Sequence, residues 1–250
     1  MLLFGVVNCS PDSLNTDSYV DGGEAARRRI ELLLDDGADA IDIGGQGSTE
    51  VATLSDWSTE WHRVEPALGA AVARGLDVSI DTFRIEVARA ALEAGASTLN
   101  AANGMQDEAF WALAAEHGAA VVVPFMNGPN PLELTHVVGD PLDRMLEYFA
   151  DRLEVADAHG MRERCLIDPG TGFGPHGWPW EERYLYQKHV YSNLHRLRAL
   201  GLPLYIPLPW RDTPQHEELL EIALAQRPDY GRVHYPAHVR EVERRVLAAS

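Results

Sequence analysis

Lysine is almost absent from this sequence: Lys188 is the only one among 21 basic residues, set against 38 acidic residues and a formal net charge of -17. So acidic a chain is a poor match for nucleic acid, which needs a basic surface to replace condensed counterions. Any anion it holds must be met by arginine, histidine or backbone N–H groups. Cysteine is scarce as well. Cys9 and Cys165 are too few and too unpatterned for a disulfide framework or a zinc cluster, and read as buried thiols. No apolar run approaches the roughly 18 residues that span a bilayer. Met1 leads straight into a strand-like segment with no basic leader or cleavage site, so a cytoplasmic location is expected. The ten histidines show no metal-type pairing with a carboxylate at helical spacing; His189 and His195 miss the i, i+4 pattern, and no structural zinc site is expected. Low-complexity tracts and linkers are also missing. With 46% hydrophobic residues, the chain reads as one domain over 1–250, large enough to bury a full core.

What is present is one pattern repeated. Short apolar runs, LLFGVVN, ADAIDIG, LDVSIDT, STLNA, AAVVVPF, RCLIDPG, LPLYIP and DYGRVH, alternate with amphipathic stretches such as GEAARRRIELLLDDG and DPLDRMLEYFADRLEVADAHG. Continuous Val, Ile and Leu suit parallel strands buried on both faces. Eight strands and eight helices in about 250 residues predict an α/β (β/α)8 TIM barrel, with a doubly wound open sheet as the alternative. Gly37, Gly75, Gly95, Gly118, Gly160 and Gly201 each follow a helical stretch and precede a strand, where a left-handed cap is expected.

Active sites of such barrels gather where strands end. Polar residues concentrate there: Asn8 on the first strand, Asp42 before Gly44 and Gly45 on the second, Asp81 on the third, Asn100 on the fourth, Asp168 on the sixth, and Arg232 with His234 on the eighth. Asp12 and Asp107 read better as helix N-caps. Asp42, an acid inside an apolar strand, also reads as a residue that bonds neighbouring loop backbone. Trp178 and Trp180 read as rim packing. Trp210 and Phe125, nearer the mouth, are equally open to packing or to ligand stacking.

These residues resemble the dihydropteroate synthase family of pterin-binding barrels over nearly the whole chain. The family's opening G-x-x-N-x-T-P-D-S-F, followed by D-G-G, resembles Gly5, Asn8, Ser10, Pro11, Asp12, Ser13 and Leu14 followed by Asp21, Gly22 and Gly23. G-A-D-x-I-D-I-G-G matches Gly37 to Gly45, S-x-D-T resembles Ser79 to Thr82, I-N-D resembles Leu99 to Ala101, D-P-G-x-G-F-G matches Asp168 to Gly174, and R-V-H-D resembles Arg232 to Tyr235. Each motif is weak alone; six in order at strand ends are specific.

The resemblance implies an enzyme of folate biosynthesis that joins 4-aminobenzoate to 6-hydroxymethyl-7,8-dihydropterin pyrophosphate with release of pyrophosphate. It implies a pterin held by Asp81, Asn100 and Asp168, with Arg211 in the place of a pterin-contacting lysine and Asp81, Asp168 and Arg211 carrying catalysis. Arg232 and His234 would clamp the leaving group, with Phe125 and Thr49 also contacting substrate. Asn8 would ligate Mg²⁺, and the chain would form a homodimer through its late helices. Carboxylates paired with ring N–H groups orient a flat heterocycle and stabilise charge developing beside it.

Departures from the pattern cluster at the rim. The family's S-R-K falls on Pro209, Trp210 and Arg211, its loop 2 arginine on Glu50, its M-H on Pro124 and Phe125, its lysine after G-F-G on Pro175, and its last aspartate on Tyr235. The pterin floor is kept and the second-substrate rim rebuilt. Three readings stay open: a working synthase, a paralogue that binds a pterin or similar heterocycle but performs another transfer, and a non-catalytic binding protein.

Overall fold

A computed structural model describes residues 1–13, 15–47 and 52–248. The apolar runs form eight parallel strands, β1 (Leu2–Asn8), β2 (Ala40–Gly44), β3 (Val78–Thr82), β4 (Thr98–Ala101), β5 (Ala120–Pro124), β6 (Cys165–Asp168), β7 (Tyr205–Pro207) and β8 (Tyr230–Val233). Helices alternate with them: α1 (Gly22–Asp35), α2 (Trp57–Val72), α3 (Ile85–Glu93), α4 (Glu108–His117), α5 (Pro141–Ala158), α6 (Trp180–Ser192), α7 (Pro214–Ala225) and α8 (Pro236–Ala248). The hydrogen-bonded order runs β6-β5-β4-β3-β2-β1-β8-β7. An Ile167–Leu204 bridge, with Ile167 N–H donating to Pro203 O at 2.8 Å, joins the two ends. The strands therefore close into a (β/α)8 barrel rather than an open sheet.

The strands read as continuous apolar runs because both faces are buried. Residues of one parity, among them Leu3, Val7, Ile41, Ile43, Ile80, Leu99, Val121, Val123 and Ile167, pack outward under the helices in the larger core cluster. The opposite parity points into the barrel. Phe4, Ala40, Val122, Leu166 and Tyr205, with Tyr230 against them, plug its lower half. Phe4 meets Tyr205 and Tyr230 edge to face, with ring centroids 5.5 and 6.1 Å apart. Further along, β2, β3, β4, β6 and β8 place Asp42, Asp81, Asn100, Asp168 and Arg232 at inward positions, while β1, β5 and β7 keep Val6, Pro124 and Pro207.

Helix ends fix the register of the repeat. All six glycines expected as caps have positive φ, between 61° and 106°. Asp107 caps α4 by accepting the Ala109 N–H at 2.9 Å. Asp12 caps no helix; its Oδ2 accepts the Thr53 N–H at 3.0 Å instead, a link between two loops.

Candidate active site at the barrel mouth

Above the aromatic plug, strand register brings four side chains together. Pairing of β2 with β3 and of β3 with β4 sets Gly44, Asp81 and Asn100 side by side, with Asp42 one inward layer below. Asp42 is fully buried. Its Oδ1 accepts from Asn100 Nδ2 at 3.2 Å, and its Oδ2 from Arg232 Nε at 2.6 Å. Arg232 reaches on to Asp81, Nη2 donating to Oδ2 at 2.9 Å. Asp42 thus bonds the site and not loop backbone, correcting the expectation that it braces a neighbouring loop.

Asp168 faces this network from β6. Its Oδ1 accepts the Gly170 N–H at 2.7 Å. Gly170 adopts φ +68°, and a Cβ there would stand 2.1 Å from the Phe125 carbonyl, so only glycine fits this corner. The Phe125 N–H in turn donates to the Asp168 carbonyl at 2.8 Å, tying β5 to β6 at the mouth.

Charge is unbalanced here. Three carboxylates surround one guanidinium. Burial pushes the Asp168 carboxyl up to about 7, opposed by the Gly170 N–H and by Arg232. Burial likewise raises Asp81, with Arg232 opposing and Asp42 and Glu60 reinforcing. The orphaned polar atoms of the same neighbourhood, Tyr205 OH and Ser79 Oγ, are buried without a partner among the described residues. Carboxylates poised near neutrality beside unpaired polar groups suit a flat ligand rich in N–H donors.

Loop 1 closes one side. Asn8, at the end of β1, accepts the Ser10 N–H on Oδ1 at 2.9 Å and donates from Nδ2 to Ser13 Oγ at 2.6 Å. Ser10 Oγ accepts the Gly47 N–H at 3.1 Å, so loops 1 and 2 are cross-linked by Ser10 and Asp12 together. Tyr235 spans from the end of β8 to loop 1, its hydroxyl donating to Asp17 Oδ2 at 2.9 Å.

Arg232 and His234, expected to clamp the leaving group, lie at the end of β8 and have the following partners in this structure. Arg232 is held by two carboxylates, which raise its proton affinity further. His234 is driven down to about 3 by burial, with Arg232 and Arg29 adding to the effect, so its ring is neutral. Its backbone carbonyl accepts from Arg29 Nη2 at 2.7 Å. Arg211 is exposed, with Cζ 5.2 Å from the Trp210 ring centroid, and makes no side-chain hydrogen bond or ion pair to the floor among the described residues. Phe125 is packed edge to face on Tyr148, at 5.3 Å. Trp210 sits against His234, at 5.4 Å. Trp178 packs on Tyr186 and His136, and Trp180 on Tyr184 and His216, as rim packing. Thr49, like Leu14 and Glu50, lies outside the described residues.

One cluster had no sequence signal. Glu60 of α2, fully buried, accepts from Thr82 Oγ1 at 2.6 Å and from Arg84 Nη1. Arg84 also donates to the Ser55 carbonyl, and Gln46 binds the Ser55 N–H at 3.0 Å, anchoring loop 2 from outside the barrel. A lone Glu in a helix and a lone Arg after a strand carry nothing at sequence level that predicts this pairing.

A family model described as "Pterin binding enzyme" matches residues 4–207. A dihydropteroate synthase type-1 of Escherichia coli is 31% identical over 259 aligned positions, covering 95% of this chain and 90% of that protein. A longer bifunctional folylpolyglutamate synthase/dihydropteroate synthase of Halobacterium salinarum is 34% identical over 174 residues; the match covers 69% of this chain but spans only 21% of that protein. Among solved structures, the dihydropteroate synthase of Thermus thermophilus in complex with 4-aminobenzoate superposes with a TM-score of 0.82 and 27% identity, covering all of this chain and 94% of that one. The polar floor at the barrel mouth therefore belongs to a member of the pterin-binding enzyme family, the family of the dihydropteroate synthases.

Proposed function

We propose that the chain acts as a dihydropteroate synthase, joining a dihydropterin pyrophosphate to 4-aminobenzoate. The observation that carries this reading is the floor of Asp42, Asp81, Asn100, Asp168 and Arg232 inside the barrel mouth. Asp168 keeps Oδ2 for the amino and ring N–H donors of a pterin edge, its Oδ1 being committed to Gly170. Asn100 offers its amide carbonyl, its Nδ2 being committed to Asp42. Asp42 and Asn100 lock each other, and Arg232 fixes Asp81, so the floor is organised before a ligand arrives.

As the bond from the pterin methylene to pyrophosphate breaks, positive charge grows on the methylene carbon. The floor's surplus of carboxylates stabilises it in a largely buried site. The amine of 4-aminobenzoate then forms the new C–N bond directly, and its proton passes to the departing pyrophosphate or to water. No enzyme nucleophile is needed. The two thiols are buried and pushed up to about 12, so neither supplies one. Positioning and electrostatics do the catalysis.

Asn8 Oδ1 accepts one N–H and keeps a lone pair, which fits a hard cation that brings its own water and phosphate ligands. Mg²⁺ held there would neutralise charge on the leaving pyrophosphate. A homodimer through the late helices belongs to the same proposal; exposed Leu185 on α6 and Leu247 on α8 are apolar side chains such an interface would cover.

Steady-state pyrophosphate release tests the reading, together with calorimetry of pterin binding. Asp168→Asn is expected to lower kcat/KM by roughly 10²- to 10³-fold, the scale of losing one well-placed polar group. Tight pterin binding without turnover of 4-aminobenzoate would instead select the paralogue that performs another transfer.

A further inference from the structure

Outside the barrel, α6 buries polar groups where a helix packed on a sheet ordinarily buries aliphatic ones. Its buried residues are Gln187, Val190 and Tyr191. Arg183, Gln187 and Tyr191 follow one another at i, i+4 and i+8, a spacing that sets them in a row on one face. That row meets the segment after β6. Arg183 Nη2 donates to the Gly172 carbonyl at 2.9 Å, and Gln187 Nε2 to the Thr171 carbonyl at 2.8 Å. Tyr191 OH lies 2.9 Å from Thr171 Oγ1 and 2.9 Å from the Pro207 carbonyl at the end of β7.

Proton count fixes the direction of the last two bonds. A carbonyl only accepts, so the single Tyr191 hydroxyl proton goes to Pro207, and the Thr171 hydroxyl must donate to Tyr191. The result is a relay from Thr171 through Tyr191 to Pro207. Thr171, Gln187 and Tyr191 are all buried, so a lost bond leaves a partner unmet rather than handed to solvent. The same segment carries part of the floor. Gly170, whose N–H holds Asp168 Oδ1, precedes Thr171, and the Phe173 N–H turns back onto the Gly170 carbonyl at 3.0 Å. Gly172 packs on Pro207: a Cβ on this glycine would lie 3.4 Å from the proline ring. Pro207 in turn pairs in register with Arg232.

We propose that Gln187 and Tyr191 are positioning residues: from outside the barrel they fix the backbone at 170–172, which aims Asp168, and Tyr191 locks this segment to the end of β7 beside Arg232. An aliphatic row would bury more apolar surface, but it could not hold a carbonyl and a hydroxyl in set directions. The proposal deepens the synthase reading and rests on it only in taking a pterin as the ligand of Asp168.

Gln187→Met and Tyr191→Phe each remove a donor with little change of bulk. Thr171→Val removes the start of the relay, and Thr171→Ser keeps its hydroxyl. Each variant is melted, bound to 6-hydroxymethyl-7,8-dihydropterin in a calorimeter, and titrated without ligand by carbon-13 NMR of the Asp168 carboxyl, whose signal is identified by its loss in Asp168→Asn. The Gly170 N–H favours the ionised carboxylate, so a loosened segment raises the Asp168 midpoint from about 7. Arg232, Asp81, Asp42, Tyr205 and Tyr191 face the same carboxyl, from β8, β3, β2, β7 and α6, and none is changed in Gln187→Met or Thr171→Val. A rise of roughly 0.5–1 pH unit, with pterin affinity roughly 3- to 10-fold weaker, is expected in Gln187→Met, Tyr191→Phe and Thr171→Val. Thr171→Ser should retain most of both values. Thr171→Val added to Tyr191→Phe should lose little more than Tyr191→Phe alone, because the two residues act through one relay. Lower melting temperatures with midpoint and affinity at their wild-type values would reduce the row to helix packing and overturn the proposal. Wild-type protein that fails to bind the pterin would overturn the synthase reading instead, and the midpoints measured without ligand would still decide the role of the row.

Discussion

Arg232 and Asp42, 190 residues apart in the chain, meet inside the barrel with Nε 2.6 Å from Oδ2. Asp42 is fully buried and Arg232 largely so. Such a pair contributes little net stability against apolar replacements, but breaking it from one side strands a buried charge. Asp42→Ala is therefore expected to cost about 3–5 kcal/mol, a fall in Tm of roughly 6–20 °C for a chain of this size. Asp42→Leu combined with Arg232→Met should recover most of that loss while abolishing activity. Thermal melts of the single and double variants check both halves of the statement; a double variant no more stable than Asp42→Ala would show that the pair is not the cause.

The raised carboxyl of Asp168 makes stability and binding respond to pH in opposite directions. An acid whose folded pKa lies above its unfolded value favours folding at low pH, and that advantage is lost as pH rises from about 3.8 to about 7. Asp168→Asn retains an oxygen for the Gly170 N–H and removes the ionisation. It should match wild type near pH 4 and exceed it above pH 7, by roughly 1–4 kcal/mol given the size of the shift. Pterin affinity should show the reverse. N–H donors need the ionised carboxylate, so wild-type affinity rises through pH 7 and levels off above it. Arg232, Asp81 and Asp42 face the same group and move the midpoint, and Asp81, also raised, broadens the rise. Denaturant unfolding and calorimetry between pH 4 and pH 8.5 are the measurements; a flat binding profile would remove Asp168 from the pterin contact.

Much of this architecture was legible because its signals are local. Apolar runs mark strands buried on both faces, and glycines mark helix ends. Residue types at strand ends were also readable, and Asp81, Asn100 and Asp168 do converge. Their partners were not. Nothing near Arg232 in sequence announces Asp42 and Asp81, which come from two other strands through register. Arg29 bonding the His234 carbonyl and Arg84 bonding Glu60 are hidden for the same reason. Arg211 stands exposed over Trp210, a position that its residue type alone does not announce.

Tyr235, where the family pattern has aspartate, ties loop 1 to the end of β8 through Asp17. Tyr235→Phe deletes one exposed hydroxyl contact and keeps the ring. Global stability should change by less than about 1.5 kcal/mol, while hydrogen exchange quickens over residues 15–19. If loop 1 closes over the reacting groups, KM should rise about 2- to 10-fold with a smaller change in kcat. Unchanged exchange in loop 1 would show that the hydroxyl does not hold it.

Glu60 and Arg84 give the last prediction, concerning loop 2. Glu60 is fully buried, and burial raises its carboxyl despite the Thr82 hydroxyl and Arg84. Arg84 is the cation that compensates it and the donor that grips the Ser55 carbonyl. Arg84→Ala should thus act twice: it leaves a carboxylate buried without its counter-charge, at a cost of about 3–5 kcal/mol, and it frees the end of loop 2. Adding Glu60→Gln removes the uncompensated charge while keeping an acceptor for Thr82, and should restore most of the stability. It cannot restore the grip on Ser55. The double variant is accordingly expected to melt near wild type yet exchange fast over residues 52–56, with a raised KM. Recovery of both stability and slow exchange would mean that contacts such as those of Gln46, Ser10 and Asp12 suffice to hold loop 2, and that Arg84 serves only to balance Glu60.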